Sequence, residues 1–213
     1  MLRKSIQTRG FDGRPRRVRT RRGTHREERS LRERGAALIE AAIVMPLLLL
    51  LVAGIIEFGV GFHESGAIAA AARAGARSAS ALPKNATFAQ AAADAASVQL
   101  QGVPSNAPQA VWVFRTAPGS SAPIGSFGAC TDCQGFAWNA AQKRFDTSAT
   151  LSGSQPWDPT KQNACAGQSD GIGVAVLLNH KYFFGVFGGT KSLERTSVMR
   201  LEPFIGTTPC GAG

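Results

Sequence analysis

A long uncharged run near the N-terminus constrains this chain more than any other feature. Residues 41–56 carry no charge, and with their apolar edges they form a run over residues 36–62. A helix that rises about 1.5 Å per residue needs about 20 residues to cross a hydrocarbon core of roughly 30 Å. The run is therefore long enough to cross a membrane once. Pro46 does not exclude this, because neighbouring groups re-satisfy the backbone that proline frees in membrane helices.

The positive charge of the chain is concentrated before this run. Residues 1–34 hold thirteen of the 24 Lys and Arg residues and four of the 14 acidic residues, so they carry +9 of the net charge of +10. The rest of the chain is nearly neutral, and net charge gives no support for nucleic-acid binding by its folded part. An arginine-rich, apolar-poor segment of this kind is also predicted to be disordered in water.

These charges predict the topology. Basic residues crowd the N-terminal flank of the run, whereas the other flank has no Lys or Arg before Arg73, so the N-terminus is expected in the cytoplasm. The domain organisation follows as a basic cytoplasmic leader (residues 1–35), a transmembrane helix (36–62) and an exported domain (63–213). The protein is expected in the cytoplasmic membrane as a single-pass protein with an extracytoplasmic C-terminal domain.

Three interpretations of the run remain open at this level. It could be an uncleaved signal anchor, or a secretory signal peptide cut near Ala67 and Ala69, although that site lies far beyond the apolar core. Arg21 and Arg22 resemble a twin-arginine signal, but no apolar residues follow them closely. The third interpretation is a peptidase junction at Gly35.

The residues around Gly35 carry a family resemblance. Arg34 and Gly35 followed by Ala36 and, four residues later, Glu40 resemble the cleavage region of type IV prepilins. More closely, RGAALIEAAIVMPLLLLLVAGIIEFG resembles the N-terminal signature of TadE-like proteins, the minor pseudopilins of tight-adherence (Flp-type) pilus systems. AAAARAGARSASA (residues 69–81) is similar to their alanine and arginine continuation, and SVMRLEPF (197–204) is similar to how many of them end.

The resemblance implies a structural role in pilus biogenesis, adhesion or secretion. A prepilin-type peptidase would cut after Gly35, and Ala36 would begin the mature chain. Glu40 would then pair with the N-terminal amine of a neighbouring subunit. The implied partners are that peptidase, other pilins or pseudopilins with the pilus machinery, and membrane lipid, with no nucleic acid.

Simple electrostatics supports this role for Glu40. A cut after Gly35 would remove the leader and create an α-amino group on Ala36. Glu40 would lie one helical turn from that ammonium and near the positive end of the helix dipole, and both effects favour a charged carboxylate. The alternative is that Glu40 only extends to the membrane interface, since charge at bilayer depth is costly.

The rest of the chain predicts an α+β domain. A helix is expected over residues 36–82, ended by Pro83, with a face of small residues at Gly66, Ala70, Ala74, Gly75 and Ala79 that either contacts another helix or packs on its own domain. A second helix is expected over 87–100, capped by Thr87, with an apolar face at Phe88, Ala91, Ala92, Ala95 and Val98 or Gln99.

Strands are predicted at 110–116, 171–184 and 191–204, the second packed mainly on one face. Residues 117–170 are predicted to be an extended loop region with at most short strands. The fold is thus a single N-terminal transmembrane helix that continues outward and packs on a small antiparallel sheet, as in pilins.

The four cysteines are disulfide candidates, because they lie in the exported part. We expect Cys130 or Cys133 to bridge Cys165 and tie the long loop, with Cys210 holding the C-terminal tail. A zinc site is an alternative, although no second C-x-x-C is present. A redox C-x-x-C is a further alternative, but its surroundings are loop-like.

No catalytic pattern is found in the sequence. Its three histidines are His25, His63 and His180, and a lone strand histidine such as His180 is more often exposed or packed than a base. Asp132, Asp146, Asp158 and Asp170 have neither EF-hand nor acid–base spacing. The protein is therefore expected not to be an enzyme and to have no catalytic, cofactor-binding or metal-binding residues.

A second function class is an uncleaved, membrane-anchored exported domain that binds an extracellular ligand. In that case Trp112, Trp138 and Trp157 would be natural contacts. Binding of nucleic acid by the leader is a third class, but topology and anionic lipid explain a short basic tail beside a membrane span better.

Overall fold

A computed structural model describes residues 24–104, 106–117, 119–185, 188–206 and 209–211, with side chains from residue 34 onward. Two helices are described, α1 (Thr24–Ser80) and α2 (Phe88–Gln99). The strands are β1 (Pro108–Arg115), β2 (Ile124–Ser126), β3 (Ala129–Thr131), β4 (Cys133–Asn139), β5 (Arg144–Phe145), β6 (Gly171–Lys181) and β7 (Thr190–Arg200). A short 3₁₀ helix covers Pro159–Lys161.

The chain divides into two compact units, Met1–Leu51 and Val52–Gly213. α1 begins in the first unit and ends in the second, and it continues through Pro46. It ends at Ser80, close to the predicted end, but it begins at Thr24 and so includes the last part of the leader. The disorder predicted for the leader stays a prediction for residues 1–23, which lie outside the described residues.

The second unit is built on one five-stranded antiparallel sheet with the order β5-β4-β1-β6-β7. The three predicted strands form its β1, β6 and β7, so the α+β architecture is confirmed. The region predicted as a loop also contributes β4, which pairs with β1 along five residues. Its Gly135 faces Trp112, where an added Cβ would lie 2.8 Å from the indole ring. Gly135 fits this close contact, but because glycine has a low strand propensity it also made β4 hard to predict from the sequence.

The strands β1 and β6 are buried on both faces, whereas β6 was predicted to pack mainly on one. On one face the alternating residues Ile172 and Val174 join a core with α1 and α2. On the other, Ala175 packs in a second core with Trp112 and Phe114. The prediction was wrong because the β2–β3 hairpin and the adjoining loop cover this second face, and such long-range packing leaves no periodic signal in β6 itself.

α2 packs on the first core with a different face from the predicted one. Its buried residues are Phe88, Ala89, Ala92, Ala93, Ala96 and Ser97, and Val98 is exposed. Alanines on all sides of α2 make the apolar face ambiguous, so the contacts with the sheet decide it. Thr87 precedes the helix but makes no side-chain cap, because its hydroxyl donates to Asn85 Oδ1 instead.

The cysteines form two disulfides, Cys130–Cys133 and Cys165–Cys210. The expected bridge from Cys130 or Cys133 to Cys165 is therefore wrong. Cys130 and Cys133 are buried in the core on one face of the sheet, whereas Ala164, beside Cys165, packs in the core on the other face. The second disulfide does hold the C-terminal tail, and the Ala164 N–H donates to the Cys210 carbonyl at 2.8 Å.

Loss of the Cys165–Cys210 bridge should destabilise the domain strongly, and removal of the second cysteine should add little to that loss. The bridge closes a separation of 45 residues, for which chain entropy predicts a loss of about 4 kcal/mol in C165A. Adding C210A should cost less than about 1 kcal/mol more, because both substitutions remove one crosslink. Denaturant unfolding of the full chain in detergent, followed by tryptophan emission, measures both values. Additive losses would contradict the crosslink.

Candidate functional site

The predicted junction lies within α1. Gly35 is half-buried and Ala36 and Glu40 are exposed, and all three are helical. The helix therefore gives Ala36 and Glu40 the one-turn spacing expected from the sequence. A Cβ added at Gly35 would meet no atom within 4 Å, so packing does not explain why a glycine occupies this position.

The apolar part of α1 is long enough to cross a membrane by length and composition. Large apolar side chains project from it on all sides and are exposed, among them Leu38, Ile43, Leu47, Leu50, Ile55 and Phe58. None of its most apolar window is buried by the described chain. An apolar helix with such an exposed surface requires an apolar environment, which fits a single-pass membrane anchor.

A cluster of buried ionisable side chains lies where α1 leaves this apolar run, within the second unit. Glu57 and Glu64 of α1 and His180 of β6 are each at most 4% exposed. His180 Nδ1 lies 2.7 Å from Glu64 Oε2, and His180 Nε2 lies 3.7 Å from Glu57 Oε1. The Nδ1–H tautomer of His180 donates to the Glu64 carboxylate in the short contact.

Glu57 also binds the backbone that follows β6. Its Oε1 accepts a hydrogen bond from the Phe183 N–H at 2.6 Å, and its Oε2 accepts one from the Phe184 N–H at 3.1 Å. Burial of a carboxylate is costly unless hydrogen bonds or an opposite charge satisfy it. These two bonds and His180 provide that pairing, so the cluster joins α1 to residues 182–185, which follow β6 and are called the β6–β7 turn below.

Sequence reasoning missed this cluster. Glu57 lies at the edge of the apolar run, Glu64 lies just beyond it, and His180 is a lone histidine in a predicted strand. The available signal was two glutamates at i and i+7 on one helix face, with no Lys or Arg nearby in the sequence. In the part of the chain that the structure describes, no group of three or more His, Cys, Asp or Glu side chains is placed to hold a metal ion.

A comparison with protein families matches residues 35–77 to the model described as TadE-like protein. This chain carries a TadE-like N-terminal segment. The resemblance inferred from the sequence is thereby confirmed over this segment. No curated protein and no solved structure matches the chain.

The TadE-like segment includes the predicted junction and the two glutamates of the buried cluster. It begins at Gly35 and contains Glu40, Glu57 and Glu64. His180 lies outside it, in β6. The segment thus contributes two carboxylates to the cluster, and the rest of the chain contributes the imidazole and the two backbone donors.

One part of the small-residue face of α1 packs on its own domain, and another part is open to a different molecule. Gly75 and Ala79 are buried, and a Cβ added at Gly75 would lie 3.0 Å from the Ala92 carbonyl oxygen and 3.1 Å from Val174. This half of the face packs on its own domain. Gly66 is exposed, and an added Cβ there would meet nothing within 4 Å, so this position is open to another molecule.

The tryptophans do not form the ligand surface considered above. Trp112 and Trp157 are buried in the two cores, and Trp138 is half-buried against Phe145. Trp157 packs edge-to-face on Phe88 with ring centroids 5.9 Å apart. These indoles contribute packing area to the domain.

The loop carboxylates have structural partners. Asp132 and Asp170 flank Arg115 at 3.5 and 3.0 Å. Hydrogen bonds from the Ser148 hydroxyl and N–H lower the pKa of Asp146, and the same bonds from Thr160 lower the pKa of Asp158.

The sign of these shifts sets their effect on stability. Because the folded-state pKa of Asp146 and Asp158 is depressed, each carboxylate stabilises the fold above its unfolded pKa. That contribution is lost as the pH falls through the folded-state pKa.

A groove of about 550 Å³ lies beside the cluster. Its walls include Val60 and Glu64 of α1 and Asn179, Lys181 and Phe183 at the end of β6. It therefore combines an apolar wall with one cation and one carboxylate that already binds His180.

Removal of the Glu57 carboxylate should loosen the turn and destabilise the domain. E57A leaves the Phe183 and Phe184 N–H groups without their acceptors, which we expect to cost about 2 to 4 kcal/mol of unfolding free energy. E194A removes an exposed carboxylate from β7 and should change the value by less than about 0.5 kcal/mol. Denaturant unfolding of both full-length variants in detergent tests this, and equal stability of the two would contradict the role of Glu57.

Proposed function

We propose that this protein is a membrane-anchored minor pseudopilin of a tight-adherence pilus system, with a structural role in pilus biogenesis, adhesion or secretion. The observation that carries the proposal is the TadE-like match over residues 35–77, which begins at the glycine where the sequence predicts a cut. A helix with an exposed apolar surface of membrane length supports the anchor.

Processing by a prepilin-type peptidase after Gly35 is part of the proposal. A glycine inside a helix weakens it by roughly 0.5 to 1 kcal/mol relative to alanine, and opening of a helix is needed before a peptidase can bind the chain in an extended form. The cut would discard the arginine-rich leader and leave the apolar run at the new N-terminus.

Glu40 has the proposed role of setting register between subunits. After the cut it would lie one turn from its own Ala36 ammonium and, in an assembly, within reach of the amine of a neighbour. An ion pair at this depth offsets the cost of a carboxylate in an apolar environment. Its exposure on α1 supports contact with a group outside this chain.

The proposed topology has the leader in the cytoplasm and the domain outside the cytoplasmic membrane. The charge asymmetry of the flanks supports this orientation, and disulfides are at home in an oxidising compartment. We also propose that the protein is not an enzyme, because the buried ionisable side chains at the cluster bind one another and backbone groups.

Gly35→Ala should block processing without disturbing the fold. The added Cβ meets nothing within 4 Å, so any effect reflects recognition by the peptidase and a firmer helix. Intact-mass measurement of protein from native membranes should show a chain that starts at Ala36 for wild type and an uncut precursor for G35A.

Gly66→Ala is the matched control, since it also adds a methyl group to α1 in open space. It should be processed like wild type. A wild-type chain that retains Arg34, or G35A processed as fully as G66A, would contradict the proposed cut.

Glu40→Gln should separate assembly from processing. The amide keeps the size of the side chain but cannot pair with an ammonium, so we expect normal cleavage and about tenfold weaker association with partner pilins. Co-purification of pilins from solubilised membranes measures this, with the exposed Glu194→Gln as the control. Wild-type recovery of pilins by E40Q would exclude the pairing role.

A further inference from the structure

The turn after β6 exposes two large aromatic side chains. Phe183 is 83% exposed and Phe184 49% exposed, and their ring centroids lie 6.0 Å apart. Side chains of this size contribute a large apolar area when they leave water. Adjacent exposed phenylalanines at the end of a hairpin therefore indicate a contact surface.

The contacts of Glu57 give the level of this turn along α1. Glu57 accepts hydrogen bonds from both phenylalanine N–H groups, and it is the first charged residue after the uncharged residues 41–56. A run of about 20 residues that starts at Ala36 crosses the hydrocarbon core and ends close to Glu57. The turn consequently lies at the level where α1 leaves the hydrocarbon.

Because of the direction of β6, this turn lies closer to the apolar run than the rest of the domain does. Gly61 of α1 lies next to His180, and Gly75 lies next to Val174, so β6 runs antiparallel to α1. The step from Gly61 to Gly75 is about 21 Å at the helical rise, and the step from His180 to Val174 is about 20 Å at the strand rise. The core beside Gly75 thus lies about 27 Å farther along α1 from the apolar run than Glu57, which binds the turn.

Cationic side chains flank the aromatic ones. Lys181 ends β6, and Lys191 lies across from His180 near the start of β7. Both lysines are exposed. Apolar rings beside lysines match the interface of a bilayer, where rings enter the acyl boundary and ammonium groups contact lipid phosphates.

We propose that the β6–β7 turn is a second membrane contact of this protein, which inserts Phe183 and Phe184 into the interface of the bilayer that α1 spans. The partner is the lipid surface at the Glu57 end of the span. The Glu57 carboxylate fixes the turn at that depth, so the domain is seated on the bilayer at two points. The inference uses the membrane anchor and is independent of cleavage after Gly35.

Quenching by brominated lipid tests the contact. Full-length F183W is reconstituted in phosphatidylcholine and phosphatidylglycerol vesicles in which the phosphatidylcholine acyl chains carry bromine. The emission that F183W adds to that of the three native tryptophans should be blue-shifted and largely quenched. V98W is the matched control, because Val98 is an exposed apolar residue of α2, and the emission that it adds should not be quenched.

The outcomes distinguish lipid from other occupants. F183W quenched no more than V98W overturns the proposal, and if F183C then crosslinks between copies, a second copy covers the turn. If F183W lacks the wild-type thermal transition, F184W is measured in its place. Quenching in an uncut chain would support this contact even if the proposed processing failed.

Discussion

The buried contact of Glu57, His180 and Glu64 joins α1 to the sheet of the C-terminal domain. Two carboxylates from α1 face one imidazole from β6, and Glu57 also accepts two backbone hydrogen bonds beyond the strand. Groups of this kind are costly to bury unless they are paired, so their satisfaction fixes the position of β6 along α1. The apolar contacts near Gly75 and the level of the β6–β7 turn along α1 agree with that position.

Closely packed side chains cover the face of the sheet that points away from α1. Trp112 covers Gly135, and Phe114 covers Gly173, where an added Cβ would lie 2.4 Å from the ring. Cys130 and Cys133 complete this side as a buried disulfide. The long middle segment is therefore a layer of the domain, and the Cys165–Cys210 bridge fastens the chain end on the other side of the sheet.

Two kinds of surface remain available for function. One is the TadE-like segment with its exposed apolar side chains, Gly35 and Glu40, which we propose contacts similar helices in a membrane or a filament. The other is the aromatic turn with its two lysines, which suits a bilayer surface. Both involve α1, which bears the first surface and binds the second through Glu57.

The sequence by itself determined what local composition can encode. The length of the uncharged run, the charged leader, the alanine-rich continuation of α1 and the main strands β1, β6 and β7 were predicted from periodicity and propensity, and the motif around Gly35 indicated the TadE-like family. Only the tertiary structure decided the disulfide pairs, the buried face of α2, the strand β4 and the role of His180. Each of these depends on residues far apart in the chain, and Glu57 lies more than a hundred residues before its partner His180. A pairing at such separation is selected by packing and by the satisfaction of buried charge, and neither leaves a periodic mark on the segments involved.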